Sequence, residues 1–504
     1  MEKGARNIMV NAALKYEPLE VELPKNPLFL PSPLRYGSVS IAQMVNNSLR
    51  YDASAYNIEA MNALRKVKRN KHGFVYLLGD DGLIDKAYYP GRYKRIYNEN
   101  GTGEPFYLPS QLEEIYPKPA KYISHLTAVS LQNDRIKANN LLLSRSGTIG
   151  KCTISSKTTI DKLFSDDVIR VSFKDNTDLG YVYAFLNTET GLLILQSNNY
   201  GAVIDHIEPE HLANVPIPSA PKKLKTVIHN LIVESYDLRD KSNDLIDEAQ
   251  ELLYKELQLP DISTIKGMNY AENKGFQNYV VKASQLNGRL DGSYHIPEVK
   301  EIIRLIHNGA DSVVPLNDGR LTKLITVGNR FKRIYVDKEN GVPYLNGKSI
   351  CQLDPNGCQK KYLSLALHED RILEQLTIRK NSILITCSGT LGKVVLVPAH
   401  WDGWAGTHDL IRVYPLSDDI VGYIYCYLQS DIGKLLINRM AYGSVVDHIE
   451  PCHISQLPIP ILRNVEVQCK INDLVLEANE LRYQAYLKEQ EAINKMNEII
   501  SGKI

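Results

Sequence analysis

The chain has 504 residues, of which 43% are hydrophobic and 23% are charged, and its formal net charge is +1. This length predicts two to four domains of about 150 residues each, and the composition is typical of a globular protein. No run of about 18 apolar residues occurs, and the N-terminus lacks the apolar segment of a signal peptide. The sequence therefore predicts a cytoplasmic protein and no membrane partner.

The seven cysteines predict reduced thiols rather than disulfides. Their number is odd, and no two of them form a C-x-x-C pair. Cys351 and Cys358 have poor spacing for zinc ligands. No metal site is therefore predicted.

Basic residues are clustered although the total charge is close to zero. Residues 86–95, 135–151 and 320–333 contain several lysines and arginines and no acidic residue, whereas acidic residues collect in 234–256. A local basic patch can bind nucleic acid even on a neutral protein. The charge pattern therefore points to a nucleic-acid partner.

In chain order, a proline-rich arm over residues 1–35 precedes a repeat that organises the rest of the chain. The segment YGAVIDHIEPEHLANVPIP (200–218) returns 242 residues later as YGSVVDHIEPCHISQLPIP, and 12 of the 19 positions are identical. SGTIGK (146–151) and GYVYAFLNTETGLLIL (180–195) return at the same offset. Earlier segments return at offsets of 238 to 240. This pattern predicts a tandem duplication with loop insertions and deletions.

Each copy of the repeat has a mixed α/β pattern. The segments 141–155 and 383–397 are apolar runs interrupted by a glycine turn, which predicts a β-hairpin. Residues 180–197 have helical spacing, and Pro209 suits the first turn of a short helix. We predict globular domains over 36–220 and 289–462, helices over 221–260 and 463–504, and a linker over 261–288.

Both predicted long helices have a seven-residue periodicity that is typical of a coiled coil. The seam leucines are Leu231, Leu238, Leu245 and Leu252 in the first helix and Leu474 and Leu481 in the second. Small residues lie between them and would allow a close approach. We predict an antiparallel coiled coil about 50 Å long. The alternatives are a helix buried on its own domain and a dimerisation helix.

The R-x-K-R-I-Y segments at 92–97 and 330–335 are the strongest candidates for DNA contacts. Alternation in a strand would place the first arginine and the lysine on one face, and the second arginine and the tyrosine on the other. Because the segments match in both copies, we expect them to bind phosphates, while base-reading residues lie in poorly matching stretches such as 98–121 and 336–361. The alternative is a solvated charged edge strand. The full set of candidates is Arg92, Lys94, Arg95, Tyr97, Arg145, Lys151, Arg330, Lys332, Arg333, Tyr335 and Lys393.

Three possible catalytic motifs fail on inspection. The segment Asn26-Pro27-Leu28-Phe29 differs from the [DNS]-P-P-[YFW] loop of an amino-methyltransferase, because leucine replaces the second proline. SGTIGK has too few residues between its glycines for a phosphate-binding P-loop. Asp205 and His206 are adjacent, lack a nucleophile and are interpreted as scaffold. No catalytic residue is predicted.

With these motifs in place, the chain resembles the specificity (S) subunit of Type I restriction–modification systems. The resemblance rests on the G-T-[IL]-G-K turn, the Y-G-x-V-x-D-H-I-E-P-x-H…P-I-P block, the R-[LY]-D-[AG]-S segment and the order domain–helix–domain–helix. It implies a non-catalytic subunit whose two target-recognition domains each read half of a split site in double-stranded DNA. It also implies docking of two methyltransferase (M) subunits that use S-adenosylmethionine to methylate adenine N6, and an association with restriction (R) subunits.

Two alternatives to this interpretation remain open. The chain could be the specificity partner of a fused restriction–methylation enzyme, or of another phage-defence methyltransferase. It could also be a structural coiled-coil scaffold, which would need no basic patches outside its helices.

Overall fold

The computed structural model describes residues 39–46, 56–98, 103–127, 131–147, 149–197, 206–262, 264–265, 279–286, 288–443 and 445–504. Its combination of helices and strands confirms the predicted mixed α/β class. The arm over 1–35, the first R-Y-D-A-S segment and the start of the first D-H-I-E-P block lie outside the described residues.

The elements before the first long helix form what we call the first half of the molecule. Its helices are α1 (Ile41–Asn46), α2 (Ile58–Lys68), α3 (Thr177–Leu186) and α4 (Glu189–Ser197). Its strands are β1 (Phe74–Tyr76), β2 (Ile84–Tyr88), β3 (Glu104–Tyr107), β4 (Lys121–Ile123), β5 (Leu141–Ser144), β6 (Cys152–Ile154), β7 (Leu163–Phe164), β8 (Val168–Phe173) and β9 (Pro216–Pro218). The long helix α5 (Lys222–Glu256) follows directly.

The second half runs up to the second long helix, α11 (Val465–Ile500). Its helices are α6 (Pro297–Gly309), α7 (Leu365–Arg371), α8 (Asp418–Gln429), α9 (Asp431–Asn438) and α10 (Pro451–Ser455). Its strands are β10 (Ser312–Pro315), β11 (Thr322–Thr326), β12 (Tyr335–Val336), β13 (Gly341–Leu345), β14 (Tyr362–Ser364), β15 (Ile383–Thr386), β16 (Val394–Leu396), β17 (Ala405–Gly406), β18 (Leu410–Pro415) and β19 (Pro458–Ile461).

The two halves have corresponding sheets. Each contains a four-stranded antiparallel sheet, in the order β2-β8-β5-β6 in the first half and β11-β18-β15-β16 in the second. A second sheet lies beside it, with three strands in the order β4-β3-β7 in the first half and four in the order β12-β14-β13-β17 in the second. A two-stranded pair joins β1 to β9 or β10 to β19. The central strands β5 and β15 are apolar runs buried on both faces.

The predicted hairpins are confirmed in both halves. Leu141 lies opposite Ile154 in the first hairpin, and Ile383 lies opposite Leu396 in the second. Each turn needs glycine, because residues Gly147, Gly150, Gly389 and Gly392 all have φ values between +72° and +94°.

The two long helices pack against each other in opposite directions. Lys470 at the start of α11 forms an ion pair with Glu248 near the end of α5, at 2.8 Å. Lys488, farther along α11, pairs instead with Glu234, which is earlier in α5, at 2.7 Å. Later residues of α11 therefore meet earlier residues of α5, so the two helices are antiparallel.

Each long helix contributes to the hydrophobic cores of both halves. The start of α5 packs in the first core through Ile228 and Ile232, and its end packs in the second core through Ala249 and Leu253. The start of α11 lies in the second core, and its end returns to the first core through residues such as Met496. The helices therefore tie the halves together as well as separating them.

The contact between the long helices is centred on small and polar residues instead of leucines. Buried residues at this contact recur every seven positions and include Ser235, Ser242 and Ala249 in α5 and Ala478, Ala485 and Ala492 in α11. Among the predicted seam leucines only Leu231 is buried, and the half-buried ones are Leu238, Leu245, Leu252, Leu474 and Leu481. Small side chains leave room for direct bonds, such as that from Ser235 Oγ to the carbonyl oxygen of Ala485 at 2.8 Å.

A matched pair of glycines brings one helix of each half against a long-helix backbone. A Cβ on Gly180 of α3 would lie 2.8 Å from the Cα of His229 in α5. A Cβ on Gly422 of α8 would lie 2.3 Å from the carbonyl oxygen of Asn472 in α11. Only glycine allows such an approach, so these contacts fix where each half sits on its helix.

The described part of the chain contains no helix with the length and apolar character to cross a membrane. It also contains no group of three or more histidine, cysteine, aspartate or glutamate residues that could hold a metal ion.

Candidate nucleic-acid interface

We call the two R-x-K-R-I-Y segments the first basic segment (92–97) and the second basic segment (330–335). They occupy corresponding places beside the sheets β4-β3-β7 and β12-β14-β13-β17. Tyr97 forms a β-bridge with Ile123 of β4. Tyr335 begins β12 and pairs with Leu363 of β14. The repeat in sequence is thus a repeat in position on the fold.

An exposed tyrosine and a lysine form a matched pair in each half. Lys121 Nζ lies 4.6 Å from the centre of the Tyr97 ring, and Lys361 Nζ lies 5.2 Å from that of Tyr335. The two tyrosines are 40% and 39% exposed. Sequence reasoning missed the lysines, although each stands just before the matching Y-[IL]-S of the repeat.

The arginines of the first basic segment converge on one carboxylate. Arg92 Nε donates to Asp166 Oδ2 at 3.2 Å, and Arg95 forms a short ion pair with Asp166 Oδ1. Burial acts to raise the pKa of Asp166, but the hydrogen bond and charges of Arg95 and Arg92 outweigh it and hold that pKa below its ordinary value. Asp166 therefore stays ionised and neutralises part of this segment.

The second basic segment meets a different partner. Arg333 donates from Nε to the Tyr344 hydroxyl at 3.1 Å, and its Nη2 lies 2.8 Å from His408 Nδ1. Burial, followed in size by the opposing charge of Asp409, acts on His408, and its pKa lies below the ordinary value. Arg333 is thus held by neutral groups.

A fully buried arginine supports the turn that carries each of these partners. Arg170 donates to the carbonyl oxygens of Phe164 and Val168, at 2.7 and 2.6 Å. Arg412, at the matching position, donates to the carbonyl oxygen of Gly406 at 2.6 Å. These arginines were missed because nothing local distinguishes a buried arginine from an exposed one. Their identical position in the repeat was the available signal.

The predicted strand over each basic segment is wrong except near the tyrosine. Arg92 and Lys94 are exposed and Arg95 is half-buried, as alternation requires, but Tyr97 is exposed as well. Arg92 and Arg95 are three residues apart and yet reach the same carboxylate, which a period of two does not allow.

Arg145, which belongs to the predicted DNA-binding set, is nearly buried and pairs with acidic side chains. Its side chain is only 9% exposed, and its Nη2 lies 2.5 Å from Glu208 Oε1. The guanidinium also lies 4.3 Å from the centre of the Tyr89 ring and 3.5 Å from Asp167 Oδ1. Its charge is therefore compensated within the first half, and its contact with DNA stays a prediction.

Lys151 and Lys393 pair with the neighbouring acids Glu113 and Glu114, and their predicted contact with DNA stays a prediction. Lys151 Nζ lies 2.5 Å from Glu113 Oε2, and Lys393 Nζ lies 2.8 Å from Glu114 Oε1, which belongs to the other half. Gln352 of the second half donates to Glu113 at 2.8 Å. The prediction of a tight turn was correct, and the lysines that follow it pair with protein carboxylates.

A polar cavity of about 350 Å³ lies at the contact between the halves, and several of its charged side chains are paired with one another. Arg239 pairs with Glu489 at 2.6 Å, and Lys360 pairs with Asp354 at 2.5 Å. Burial raises the pKa of Glu113 in the same cavity, against the opposing charge of Lys151. These ion pairs lie within each half and between the long helices, around a polar cavity that both halves line.

What remains open to a ligand is one exposed basic strip in each half. Lys94, Arg330 and Lys332 are exposed and form no ion pair with any residue that the structure describes. With the tyrosine–lysine pairs, these groups can donate hydrogen bonds to phosphate oxygens and offer a ring face for packing.

No protein-family model and no curated protein matches the chain. Solved structures do match it. The S subunit of a Type I restriction–modification system from M. genitalium is 14% identical, with 85% of this chain and 98% of that chain covered and a TM-score of 0.30. The HsdS subunit from Thermoanaerobacter tengcongensis is 11% identical, with 85% and 100% covered and a TM-score of 0.24.

A third match comes from a structure that addresses complex assembly and conformational transition of the type I R-M system. It is 10% identical, with 84% of this chain and 99% of that chain covered and a TM-score of 0.24. Two of these three structures are described as S subunits of Type I restriction–modification systems, and the third comes from a study of the type I R-M system.

Proposed function

We propose that the chain is the non-catalytic DNA-reading subunit of a methyltransferase or restriction complex. The first and second halves act as tandem target-recognition domains that each read one part of a split target in double-stranded DNA. The helices α5 and α11 form the antiparallel coiled coil that sets the gap between these parts.

The observation that carries this proposal is the exposed basic strip that recurs at the same place beside two corresponding sheets. Lys94 in the first half, and Arg330 and Lys332 in the second, face solvent. Repeated cations at fixed positions suit the phosphate backbone, which is the same at every sequence. The stretches that differ between the halves are left to read bases.

The lengths of α5 and α11 support the proposal that these helices set the gap between the two parts of the target. α5 and α11 contain 35 and 36 residues, so each is about 50 Å long. At 3.4 Å per base pair this corresponds to at most about 14 base pairs between the centres of the halves. Because each helix ends in the core of the opposite half, the separation is held from both sides.

The partners follow from the family resemblance and are part of the proposal. Two methyltransferase subunits carrying S-adenosylmethionine dock on the chain and methylate adenine N6, and restriction subunits join the same complex. The chain itself binds no cofactor and contributes no catalytic group.

Selection from a random duplex pool tests the proposal. The full chain, alone and with a candidate adenine methyltransferase from the same genome, is used to capture duplexes that are then sequenced. We expect two short motifs separated by a fixed gap. A short continuous palindrome would contradict the two-part target, and the absence of any salt-dependent binding would favour a structural scaffold.

A further inference from the structure

One substitution between the halves changes the electrostatics of the basic strips. Asp166 and His408 lie at the same offset of 242 residues as the matching turns, on the turn before β8 or β18. Each is followed by an aspartate and faces the arginines of the neighbouring basic segment. The repeat thus places an acid in one half where the other has an imidazole.

In the first half, the Asp166 carboxylate pairs with both Arg92 and Arg95, and its side chain is 5% exposed. A phosphate that approached either arginine would have to compete with an ionised carboxylate already in contact with it, and would be repelled by that carboxylate. Lys94 and the Tyr97–Lys121 pair are the cationic groups left available in this strip.

In the second half, the corresponding arginines form no ion pair with a carboxylate among the residues that the structure describes. A guanidinium can only donate hydrogen bonds, so His408 Nδ1 accepts from Arg333 and the ring proton lies on Nε2. Nε2 faces Asp409 Oδ1 at 3.3 Å, so a neutral ring separates Arg333 from that acid. Arg330 forms no ion pair within the described residues.

The aspartate that follows each of these residues, Asp167 or Asp409, also has a different partner in each half. In the first half Asp167 faces Arg145, which also pairs with Glu208. Position 387, which corresponds to Arg145, is a cysteine, and Asp409 turns to His408 instead. The acids of the second half are thus drawn away from the arginine pair.

We propose that Arg330 and Arg333 bind phosphate oxygens of the DNA backbone directly, whereas Arg92 and Arg95 are held by Asp166 and serve the fold. The inference rests on the proposed DNA-binding function. It makes the second half the larger source of salt-dependent affinity, although the two basic segments are nearly identical in sequence.

A matched pair of substitutions tests the difference. The affinity of the full chain for a 30-base-pair duplex of arbitrary sequence is measured from 50 to 200 mM salt. Each phosphate contact contributes about 0.9 to the slope of log K against log salt concentration. We expect R330Q to lower the slope by about that amount and R92Q to lower it by less than half as much.

Exchanging the partner residues should move the slope in opposite directions. H408D supplies the second half with the missing carboxylate and should lower the slope by about 1 to 2, while D166H should raise it by about 1. H307D and D80H make the same residue changes at exposed positions away from both basic segments. They should leave the slope within about 0.3 of the original.

The outcomes separate this inference from the proposed function. If the unmodified chain shows no salt-dependent binding, the DNA-binding function itself fails. If it binds and R92Q lowers the slope as much as R330Q, or H408D behaves like H307D, the asymmetry is overturned. Circular dichroism identifies any variant that has lost its fold, and the two glutamine variants lie on exposed side chains and decide the result without the buried exchanges.

Discussion

The two halves attach corresponding hairpins to corresponding long helices, α5 and α11, by different chemistry. In the first half, the turn after β6 bonds to Asp240 of α5 through Ser156 Oγ at 3.0 Å and the Lys157 and Thr158 amides at 2.9 and 3.1 Å. In the second half, the turn after β16 stacks the His400 ring on Tyr486 of α11, with centroids 3.9 Å apart. The attachment point is kept although the interaction has changed.

The difference shows which property of the fold is fixed. The two halves share the same backbone path and helix register. The contact between each hairpin and its long helix can be made either by directed hydrogen bonds or by stacked rings. Polar contacts give orientation at small contact area, whereas aromatic rings bury more apolar surface. The halves should therefore respond differently to the same kinds of perturbation.

The largest effect is expected at the buried ion pair between the long helices. Replacing Glu489 with glutamine removes the carboxylate that pairs with Arg239, and both side chains are at most 10% exposed. We expect the free energy of unfolding to fall by about 3 kcal/mol or more, because the guanidinium stays buried without its counterion. Chemical denaturation followed by circular dichroism measures this change.

The control removes both charges. R239M/E489M should recover at least half of the loss, since neither charge is left unpaired. Nearby, Arg482 donates to the neutral groups Ser242 Oγ and Asn243 Oδ1, so N243A should cost about 1 kcal/mol. Equal destabilisation by the single and double variants would contradict the charge explanation.

The aromatic attachment is tested at Trp401, which is 1% exposed. Trp401→Ala leaves a large cavity beside α11 and should lower the free energy of unfolding by about 3–5 kcal/mol. Position 159 is the counterpart in the first half, where the Thr159 hydroxyl accepts from the Ser156 amide at 3.0 Å. T159A should cost about 1 kcal/mol. Similar losses for both variants in thermal unfolding would remove the proposed contrast.

The pH dependence of stability should also distinguish the halves. Burial, opposed by the hydrogen bond to the Leu353 carbonyl, lowers the pKa of His400 from 6.5 to about 4. The unfolded chain then binds a proton more readily than the folded one, so this contribution is complete above pH 6.5 and is lost as the pH falls towards 4. It amounts to about 3 kcal/mol at most.

Carboxylates elsewhere also titrate in this range, so the measurement is a difference between two proteins. H400F keeps the stacked ring and removes the titration. We expect the gap in unfolding free energy between H400F and the original chain to widen from pH 7 to pH 4 in favour of H400F. A gap independent of pH would show that His400 does not titrate as its burial implies.

The smallest effect is expected at Asp240, which is partly exposed. Asp240→Ala removes the acceptor for the 156–158 turn and should cost about 1–2 kcal/mol. Asp237→Ala, at an exposed position on the same helix, should change stability by less than about 0.5 kcal/mol. Hydrogen exchange of the Lys157 and Thr158 amides gives a local readout, and unchanged protection in D240A would show that the turn holds without this contact.

The local structure of this protein was predictable because the signals were local and occurred twice. The glycine turns, the short helices after Glu208 and Glu450 and the proline-bounded ends of the halves each have a nearby cause. The repeat then removed ambiguity, since an interpretation of one copy had to fit the other.

The candidate site was predicted less well because charge pairing is not local. Arg145 meets a carboxylate 63 residues away, and Lys393 meets one 279 residues away in the other half. A run of cations without nearby acids therefore looked more exposed than it is. The heptad pattern identified the helices and the small residues at which they meet, but it gave the seam leucines too central a place, because leucines and small residues recur with the same period.

The glycine contacts at Gly180 and Gly422 restrict how this architecture can change its span. Each half is fixed both along its long helix and around it, so one residue inserted in both helices would shift the halves by about 1.5 Å and turn them by about 100°. Seven residues nearly complete two turns and add about 10 Å, or about 3 base pairs. Under the proposed function, the length of DNA between the two parts of the target would therefore evolve in discrete steps, with most intermediate lengths facing the wrong side of the duplex.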